Sequence, residues 1–549
     1  MRILLTILMA VLLSSQAVTF TVAAPFVVSD IQSPVISRLL PTVAAMKLES
    51  LAAGVLVETK GYYAAGDGGQ ARYLIKTAQA VDGYGSHTLA NGNVAILQHE
   101  GLVNILQFGA SDLVVCHDEI NAAMASDGTN VIIPGKDAVY LIGETVFAGE
   151  GKTVTFEGTL KATDGGFNLG TMPSIFACSN PNITLINPQL DGNRANNPST
   201  GPGIYHNLSN YANGYDLTVL GGDIYNAVDN CLQGGRTGAI FTGTKFRNAG
   251  EHVIYLNGTD GATGILCDGI TFTGCEFNSP GANAAYESHN FLARNCNNIK
   301  LLGCIGSGSA PTGTAQIGIN ITNVNGLYVD DCNFSGMNNR VITDDADCSS
   351  LKISNSTFAF NPSLIYLSLQ RIYCDDIHFD NCTFINVSPV EDGVLVFSNC
   401  KFKEMAVSLV VIDDKLTFVN CEFEFVSGTV CFNTTGLGDL TFIDCIVVDD
   451  LVTGISQGVT GGKIYIDHCE FPTHTQGNVV RLRSPENHVV KGVYAPLAIA
   501  TSTLRVANTC TEKVIIAENI ISGGYLYIDG VPADVIRYGN ILSGSSPFE

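Results

Sequence analysis

The sequence predicts an all-β protein, a single-stranded right-handed parallel β-helix of about 13 to 15 coils with a small N-terminal β-module and a short capping helix. The main observation is a short phrase, apolar-x-apolar-x-(Asn/Asp/Gly)-(often Cys)-x-(usually Phe), which recurs twelve times between residues 183 and 471. Clear copies are ITFTGCEF (270–277), LTFVNCEF (416–423) and IYIDHCEF (464–471). Successive copies lie 18 to 34 residues apart, a spacing typical of a solenoid built from short strands.

The internal phase of the phrase indicates how each coil folds. In LTFVNCEF, Leu416 and Phe418 point to one face of a strand because they are two residues apart, and so do Cys421 and Phe423. The three-residue step between the pairs requires a bend at Asn420, and Asn, Asp and Gly tolerate the left-handed backbone of such a bend. Each phrase therefore predicts two inward-facing strands around a corner, with Phe stacked on Phe and Cys on Cys.

Composition agrees with stacked strands and excludes some partners. The chain has 58 glycines, no tryptophan and only 14% charged residues. Eight of its 17 cysteines occupy the inward slot of successive coils, where Ser356 and Thr244 also occur, so we predict buried free thiols rather than disulfides. A net charge of −23 argues against nucleic acid and against a polybasic membrane contact.

The N-terminus predicts export. Residues 1–24 combine an early arginine, an apolar run and the sequence TVAA, which is typical of a secretory signal peptide cleaved near Ala24. We therefore expect a secreted, extracellular protein with no stable membrane insertion after cleavage; an uncleaved anchor is the alternative. Residues 25–45, with three prolines, are predicted to be a linker.

Three further segments complete the predicted organisation. Residues 46–107 form a glycine-punctuated β-module, residues 108–530 the β-helix and residues 531–549 a C-terminal tail. A solenoid exposes an apolar end at its first coil, which must be covered. A short helix from Asp118 to Met124, apolar at Ile120, Ala123 and Met124, is predicted to cap it.

Several of these motifs resemble known families. GYYAAGDGGQARYLI (61–75) resembles the module that precedes the β-helix in phage tailspike depolymerases. FGA (108–110), INAAM (120–124) and IIPG (132–135) resemble the opening segment of the pectate-lyase and rhamnogalacturonase type β-helix families, and LINPQLDGN (185–193) is similar to their first-coil phrase. The resemblance covers residues 45–195 by motif and the remainder by architecture. It implies a polysaccharide substrate and, as in tailspikes, a homotrimer.

The longer coils between residues 188 and 332 have spare residues for a site, and two neighbouring coils align closely there. IYNAVDNCLQ (224–233) matches FRNAGEHVIYL (246–256), which places Asp229 in the same phase as Glu251, with backbones about 4.8 Å apart. Two carboxylates this close do not ionise independently, so one can donate a proton while the other stays charged. Glycoside hydrolysis needs this division of labour.

The alignment yields two predicted sets of site residues. DNCLQ and GEHVIYL are similar to the Asp-Asp-Cys and Gly-His elements of polygalacturonase-like hydrolases, which implies that Asp229 acts as acid or base and that His252 orients it. A purely structural role is the alternative, in which these polar residues form the solvated outer face of the coil, with Asn226 and Asn248 as a ladder. The predicted catalytic residues are Asp229, Glu251, His252 and Glu287, and the predicted substrate-binding residues are Arg247, Asn226, Asn248, Asn230 and His289.

We expect an enzyme, with glycoside hydrolysis favoured, no cofactor and no metal site. Paired aspartates at 330–331, 344–345, 375–376 and 413–414 carry the hard oxygen ligands that calcium takes, which leaves a calcium-dependent polysaccharide lyase as an alternative. Two further hypotheses are a tailspike-like glycan-binding depolymerase, located on a virion tail or cell surface, and a non-catalytic adhesin.

Overall fold

The computed structural model describes residues 38–542, apart from several internal segments, of which the longest are 166–173, 198–205, 259–266, 309–315 and 361–376. The predicted signal peptide (1–24) and the first part of the predicted linker lie outside the described residues. Within the described residues, no helix has both the length and the apolar character required to cross a membrane.

A small mixed sheet precedes the β-helix. Its five strands lie in the spatial order Arg38–Leu40, Leu56–Thr59, Ala71–Lys76, Val94–Gln98 and Ser86–Thr88. The first pair is parallel and the other pairs are antiparallel. The first strand and a short helix, Val43–Lys47, begin within the segment predicted as a linker, because Leu40, Val43 and Met46 are buried against the sheet.

The rest of the described chain is a parallel β-helix with three walls, as the strand pairing shows. The first wall contains the strand that opens each repeated phrase, and Leu416, for example, pairs with Leu395 before it and Leu440 after it. Its strands are Leu102–Asn104, Asn130–Ile133, Thr153–Phe156, Ile183–Ile186, Leu217–Leu220, Ile240–Thr242, Thr271–Thr273, the second halves of Ser288–Leu302 and Gln316–Asp330, Ser349–Ser354, Ile377–Asp380, Val394–Ser398, Lys415–Val419, Asp439–Ile443, Ile464–Asp467, His488–Lys491, Lys513–Ala517 and Asp534–Tyr538.

The second wall contains the strand that closes each phrase. Thirteen strands stack in one sheet, and bridges at Glu470 continue it into three more. The strands are Val139–Ile142, Thr159–Ala162, Gln189–Asp191, Asp223–Tyr225, Lys245–Arg247, Glu276–Asn278, Ile305–Ser307, Asn333–Met337, Thr357–Phe360, Thr383–Ile385, Lys401–Met405, Glu422–Phe425, Ile446–Val448, Tyr494–Ala495, Ile520–Ile521 and Ile541–Leu542. The stack is slightly longer than the predicted 13 to 15 coils. The prediction counted only coils that carry the repeated phrase, and Val139–Ile142 and Ile541–Leu542 belong to coils without it.

The third wall has no counterpart in the repeated phrase. Its strands are Val146–Phe147, Ser174–Ala177, His206–Asn210, Leu232–Gly234, Ile254–Asn257, the first halves of Ser288–Leu302 and Gln316–Asp330, Arg340–Asp344, Leu409–Val411, Val430–Thr434, Thr453–Gln457, Asn478–Leu482, Thr503–Val506 and Tyr525–Ile528. A short strand, Cys267–Asp268, lies at the corner between the third and first walls. Two strands, Asp534–Tyr538 and Ile541–Leu542, extend the β-helix into the predicted tail.

The corner between the first and second walls forms as predicted. Asn420 has a φ of 53°, and the equivalent Asn381 and Asn399 have similar left-handed values. The corner side chains also bond to one another between coils, since Asn420 Nδ2 donates to Asn399 Oδ1 at 2.7 Å and Asn381 Nδ2 to Asn355 Oδ1 at 2.8 Å. Asparagine at this position therefore both tolerates the bend and links successive coils.

The core consists of stacked rings and thiols. Phe402 lies between Phe384 and Phe423, with ring centroids 4.9 Å and 4.8 Å away and nearly parallel planes. The described cysteines are all buried and free. Cys421 Sγ donates to the carbonyl oxygen of Phe397 at 3.4 Å, so the thiols also satisfy backbone groups at the corner.

The capping helix is present over His117–Ala125, with Ile120, Ala123 and Met124 buried. Asn121 fastens it to the first strand of the third wall. Its Nδ2 donates to Thr145 O at 3.0 Å, and its Oδ1 accepts from Phe147 N at 2.8 Å. The helix thus satisfies backbone groups at the open edge of the first coil. Two 3₁₀ helices, Ile105–Phe108 and Arg194–Asn196, complete the elements.

Candidate functional site

The aligned carboxylates lie in equivalent turns of adjacent coils. Each turn leads from a second-wall strand to a third-wall strand, from Asp223–Tyr225 to Leu232–Gly234 and from Lys245–Arg247 to Ile254–Asn257. Leu232 pairs with Ile254, which puts the residues three positions earlier, Asp229 and Glu251, side by side. Glu251 N donates to Asp229 O at 2.9 Å, so the two residues are on the same side of the β-helix.

The turns are held by left-handed asparagines. Asn226 and Asn248, the first residues after their strands, have φ values of 54° and 57°. Asn248 Nδ2 donates to Asn226 Oδ1 at 3.3 Å, and Asn226 Nδ2 donates to Asp191 Oδ1 at 3.0 Å. The structure thus places these two amides, predicted as substrate contacts, in a ladder between coils, the alternative that the sequence left open. Gly250 is required beside them, since a Cβ there would overlap Val228 O.

The carboxyl groups of Asp229 and Glu251 are hydrogen-bonded to each other. Burial, together with this bond and the negative charge of Glu251, raises the pKa of Asp229 to about 9. Asn230 Nδ2 also donates to Asp229 Oδ2 at 2.9 Å. Asp229 is therefore a neutral acid near pH 7, and the side chain of Glu251 is 31% exposed.

His252 adjoins this pair from the interior. Its Nε2 lies 3.4 Å from Glu251 Oε1, and its backbone N–H donates to Asn230 Oδ1 at 3.1 Å. Burial lowers the pKa of His252 to about 4, so the ring is neutral near pH 7. The ring therefore meets Glu251 as a neutral hydrogen-bond donor.

Two more buried side chains continue from His252. His289 Nδ1 lies 2.9 Å from His252 Nδ1, and Asn320 Nδ2 lies 3.0 Å from His289 Nε2. His289 is only 4% exposed and Asn320 3%. His289, predicted as a substrate contact, therefore faces the protein interior. Asn230, also predicted as a substrate contact, is 1% exposed and bonds within the turn.

Arg247 is engaged with its own wall. Its guanidinium forms a bidentate ion pair with Asp223, with Nε 2.8 Å from Oδ1 and Nη2 2.5 Å from Oδ2, and it stacks over Tyr225 at 4.5 Å. These contacts raise the pKa of Arg247 and neutralise its charge locally. The residue predicted to contact substrate instead stabilises the second wall.

Sequence reasoning missed a different arginine. Arg294 is exposed on the next coil, and its guanidinium lies 5.7 Å from the ring centroid of Tyr255. Tyr255 in turn packs edge-on against His252, with centroids 5.6 Å apart. In the described part of the chain, Arg294 has no carboxylate within ion-pair distance. Its register with Asn257 was hidden in the sequence by the extra residues between the two coils.

The remaining predictions fall mostly outside the described residues. Glu287 lies in one of the segments that are not described, as do the aspartates at 345, 375–376 and 413–414. Of the predicted calcium ligands, Asp330 accepts hydrogen bonds from Ser354 and Asn355, and Asp331 forms a corner. Among residues with described side chains, no group of three or more acidic, cysteine or histidine residues could hold a metal ion.

Comparison with known proteins gives architectural matches. No family model matches the sequence, and no curated protein matches it. Similar solved structures include tailspike protein 2 of an Escherichia coli O157:H7 bacteriophage, at 11% identity and a TM-score of 0.42, covering 72% of this chain and 51% of that one. The N-terminal fragment of bacteriophage Phi29 gene product 12 matches at 13% identity and a TM-score of 0.45, covering 80% of each chain.

A third similar structure is the A-module of an Azotobacter vinelandii mannuronan C-5 epimerase, at 11% identity and a TM-score of 0.38, covering 72% of this chain and 99% of the module. The match to the tailspike protein covers 51% of that protein, so this chain spans about half of its length. The strand pairing itself defines the fold.

Proposed function

We propose that the protein is a β-helix enzyme that cleaves a polysaccharide, with Asp229 as the proton donor and Glu251 as the charged partner. The observation that carries this proposal is the carboxyl pair itself. Two half-buried carboxyl groups from adjacent coils are hydrogen-bonded to each other, and the pKa of Asp229 is raised. Such a pair separates the acid and base roles that glycosidic bond cleavage requires.

The chemistry follows from the protonation states. Asp229 would donate its proton to the glycosidic oxygen as the bond to the anomeric carbon breaks. Glu251 would attack that carbon, and the resulting ester would then be hydrolysed by water that Asp229, now ionised, deprotonates. A sugar bound between the two carboxyls would break their mutual hydrogen bond, and reaching the roughly 5 Å separation of retaining enzymes requires less movement than reaching the 6.5–9.5 Å of inverting ones. We therefore propose retention of configuration.

The face beside the pair supplies substrate contacts in this proposal. Tyr255 presents a half-buried ring, and Arg294 presents an exposed guanidinium stacked over it. An aromatic ring can pack against the apolar face of a sugar, and a guanidinium can donate to its oxygen atoms. We assign substrate contact to Tyr255 and Arg294 in place of Arg247.

The setting that we propose is extracellular. The signal-like N-terminus supports secretion, and the motif resemblance to tailspikes supports a homotrimer or a location on a virion tail or cell surface. Light scattering on the purified protein would distinguish a trimer from a monomer. A non-catalytic adhesin with this fold would bind glycans and leave them intact.

Incubation with a panel of capsular, plant and algal polysaccharides tests the proposal. Hydrolysis yields new reducing ends, whereas elimination yields products that absorb in the ultraviolet. Asp229→Asn and Glu251→Gln should each lower cleavage by at least a factor on the order of 10² while glycan binding persists. The matched control Glu276→Gln, which removes a half-buried carboxylate paired with Lys245 at 3.2 Å, should cleave normally. Unchanged cleavage in both site variants would refute the assignment.

A further inference from the structure

A row of four contacting side chains, three of them buried, runs through three coils and ends on Glu251. Its members are Asn320, His289, His252 and Glu251, and the joining distances are 3.0 Å, 2.9 Å and 3.4 Å in that order. The two histidine rings are 4.6 Å apart and almost fully buried. Neither the carboxyl pair nor the stacking of the coils by itself requires such a chain.

The direction of each hydrogen bond follows from the chemistry of its ends. The amide nitrogen of Asn320 only donates, so His289 Nε2 accepts and carries no proton. A neutral His289 then carries its proton on Nδ1 and donates to His252 Nδ1. His252 must consequently carry its proton on Nε2, the nitrogen that faces Glu251.

At Glu251, this row of hydrogen bonds is consistent with a protonated Asp229 and an ionised Glu251. Glu251 receives donors from both sides, the Nε2–H of His252 and the carboxyl O–H of Asp229, and two donors stabilise an ionised carboxylate. Asn230 holds the Asp229 carboxyl in place by donating to its Oδ2 at 2.9 Å. The two halves of the network therefore prescribe the same arrangement of protons.

We propose that His289 and Asn320 are positioning residues that set the tautomer of His252 and thereby decide that Asp229, rather than Glu251, holds the shared proton. The role of these two residues in catalysis rests on the proposed function. The tautomers themselves are properties of the resting protein and can be measured without a substrate.

The charged and titratable groups around His252 are few in the described residues. Glu251 faces it from its own turn, Arg294 and His289 from the next coil, and Tyr255 from the strand that follows the turn. Of these, only His289 contacts His252 Nδ1 in a described hydrogen bond. Changing the hydrogen-bond donor at position 320 is therefore the most specific way to reverse the direction of these hydrogen bonds.

The experiment uses the full chain with ¹⁵N-labelled histidine rings. Nitrogen shifts distinguish protonated from bare ring nitrogens, and His252→Gln and His289→Gln identify the signals by their loss. The wild-type protein should show the proton of His289 on Nδ1 and that of His252 on Nε2. Asn320→Asp replaces a donor by an acceptor, so both tautomers should reverse and cleavage should fall by a factor on the order of 10² or more.

Asn325→Asp is the matched control, since Asn325 lies on the same strand but is exposed, and its Oδ1 accepts from Ser349 Oγ at 2.8 Å. It should leave both tautomers and cleavage unchanged. Wild-type tautomers opposite to those derived, or no reversal in Asn320→Asp, would overturn the inference even if the protein cleaves glycans. If the tautomers reverse as expected but no polysaccharide is cleaved by the wild type, the proposed function fails and the network stands.

Discussion

Asp229 and Glu251 lie 22 residues apart in the chain, yet their carboxyl groups share a hydrogen bond across adjacent coils. Coil stacking produces this contact, because the turns that hold them are joined by the backbone bond from Glu251 N to Asp229 O at 2.9 Å. Because neighbouring strands lie about 4.8 Å apart, two acidic side chains at equivalent positions of adjacent coils lie close to each other. Sharing one proton is the lower-energy outcome.

The raised pKa of Asp229 predicts the alkaline limit of activity. Asp229 must hold its proton to act as an acid, so cleavage should be maintained through neutral pH and fall as the pH rises through about 9. A protonated-carboxyl band in the infrared spectrum should persist at pH 7 and disappear over the same range. The band should be absent in Asp229→Asn and retained in Glu276→Gln, and its absence from the wild type at pH 7 would contradict the assigned state.

Buried neutral histidines predict acid lability. Burial lowers the pKa of His87, His252 and His488 to about 4 from a normal value near 6.5. Between pH 6.5 and pH 4 the unfolded chain binds protons at these histidines that the folded chain does not. The free energy of unfolding should therefore be unaffected by these sites above pH 6.5 and should fall as the pH drops toward 4. Each site accounts for up to about 3 kcal/mol of that loss.

Thermal unfolding at pH 7 and pH 5 measures this effect. His488→Gln should lower the midpoint at pH 7 but shrink the difference between the two pH values. His378→Gln, at an exposed position, serves as the control and should leave the difference as in the wild type. Equal pH dependence in the His488 variant and the wild type would argue against a buried neutral His488.

The corner asparagines predict a specific pattern of stability. Asn420→Ala should lower the free energy of unfolding by about 2–3 kcal/mol, since alanine is strained at a φ of 53° and the bond to Asn399 is lost. Asn420→Gly should cost less, about 1–2 kcal/mol, because glycine adopts this backbone freely. Thr417→Ala, on an extended residue of the same coil, should cost under about 1 kcal/mol. Equal costs for the alanine and glycine variants would show that the backbone is not strained.

The buried cysteines predict insensitivity to reductant. The described thiols are free and buried, so a reducing agent should not change the unfolding temperature, and these thiols should react with thiol reagents only after unfolding. Cys421→Ser should fold with a cost below about 1.5 kcal/mol. Ser356 already occupies the equivalent slot, where its Oγ donates to Ser354 O at 2.7 Å. A marked drop in unfolding temperature on reduction would instead indicate disulfides.

Much of the β-helix is predictable from short-range rules in the sequence. The two-residue alternation of Leu416 and Phe418 identifies an inward face, and the three-residue step to Cys421 requires a left-handed corner at Asn420. Because coils stack in register, aligning two neighbouring phrases also predicts that Asp229 and Glu251 meet. These inferences succeed because each depends on a local constraint repeated in every coil.

Only the tertiary structure shows the third wall and the direction of the side chains. Strands such as Ile254–Asn257 carry no common phrase, since the segments before them vary in length from coil to coil. Whether Arg247 meets a substrate or Asp223, and whether His289 faces solvent or His252, depends on rotamers and on partners in other coils. Residue order determines which positions lie side by side, but burial and hydrogen-bond geometry decide what those side chains do there.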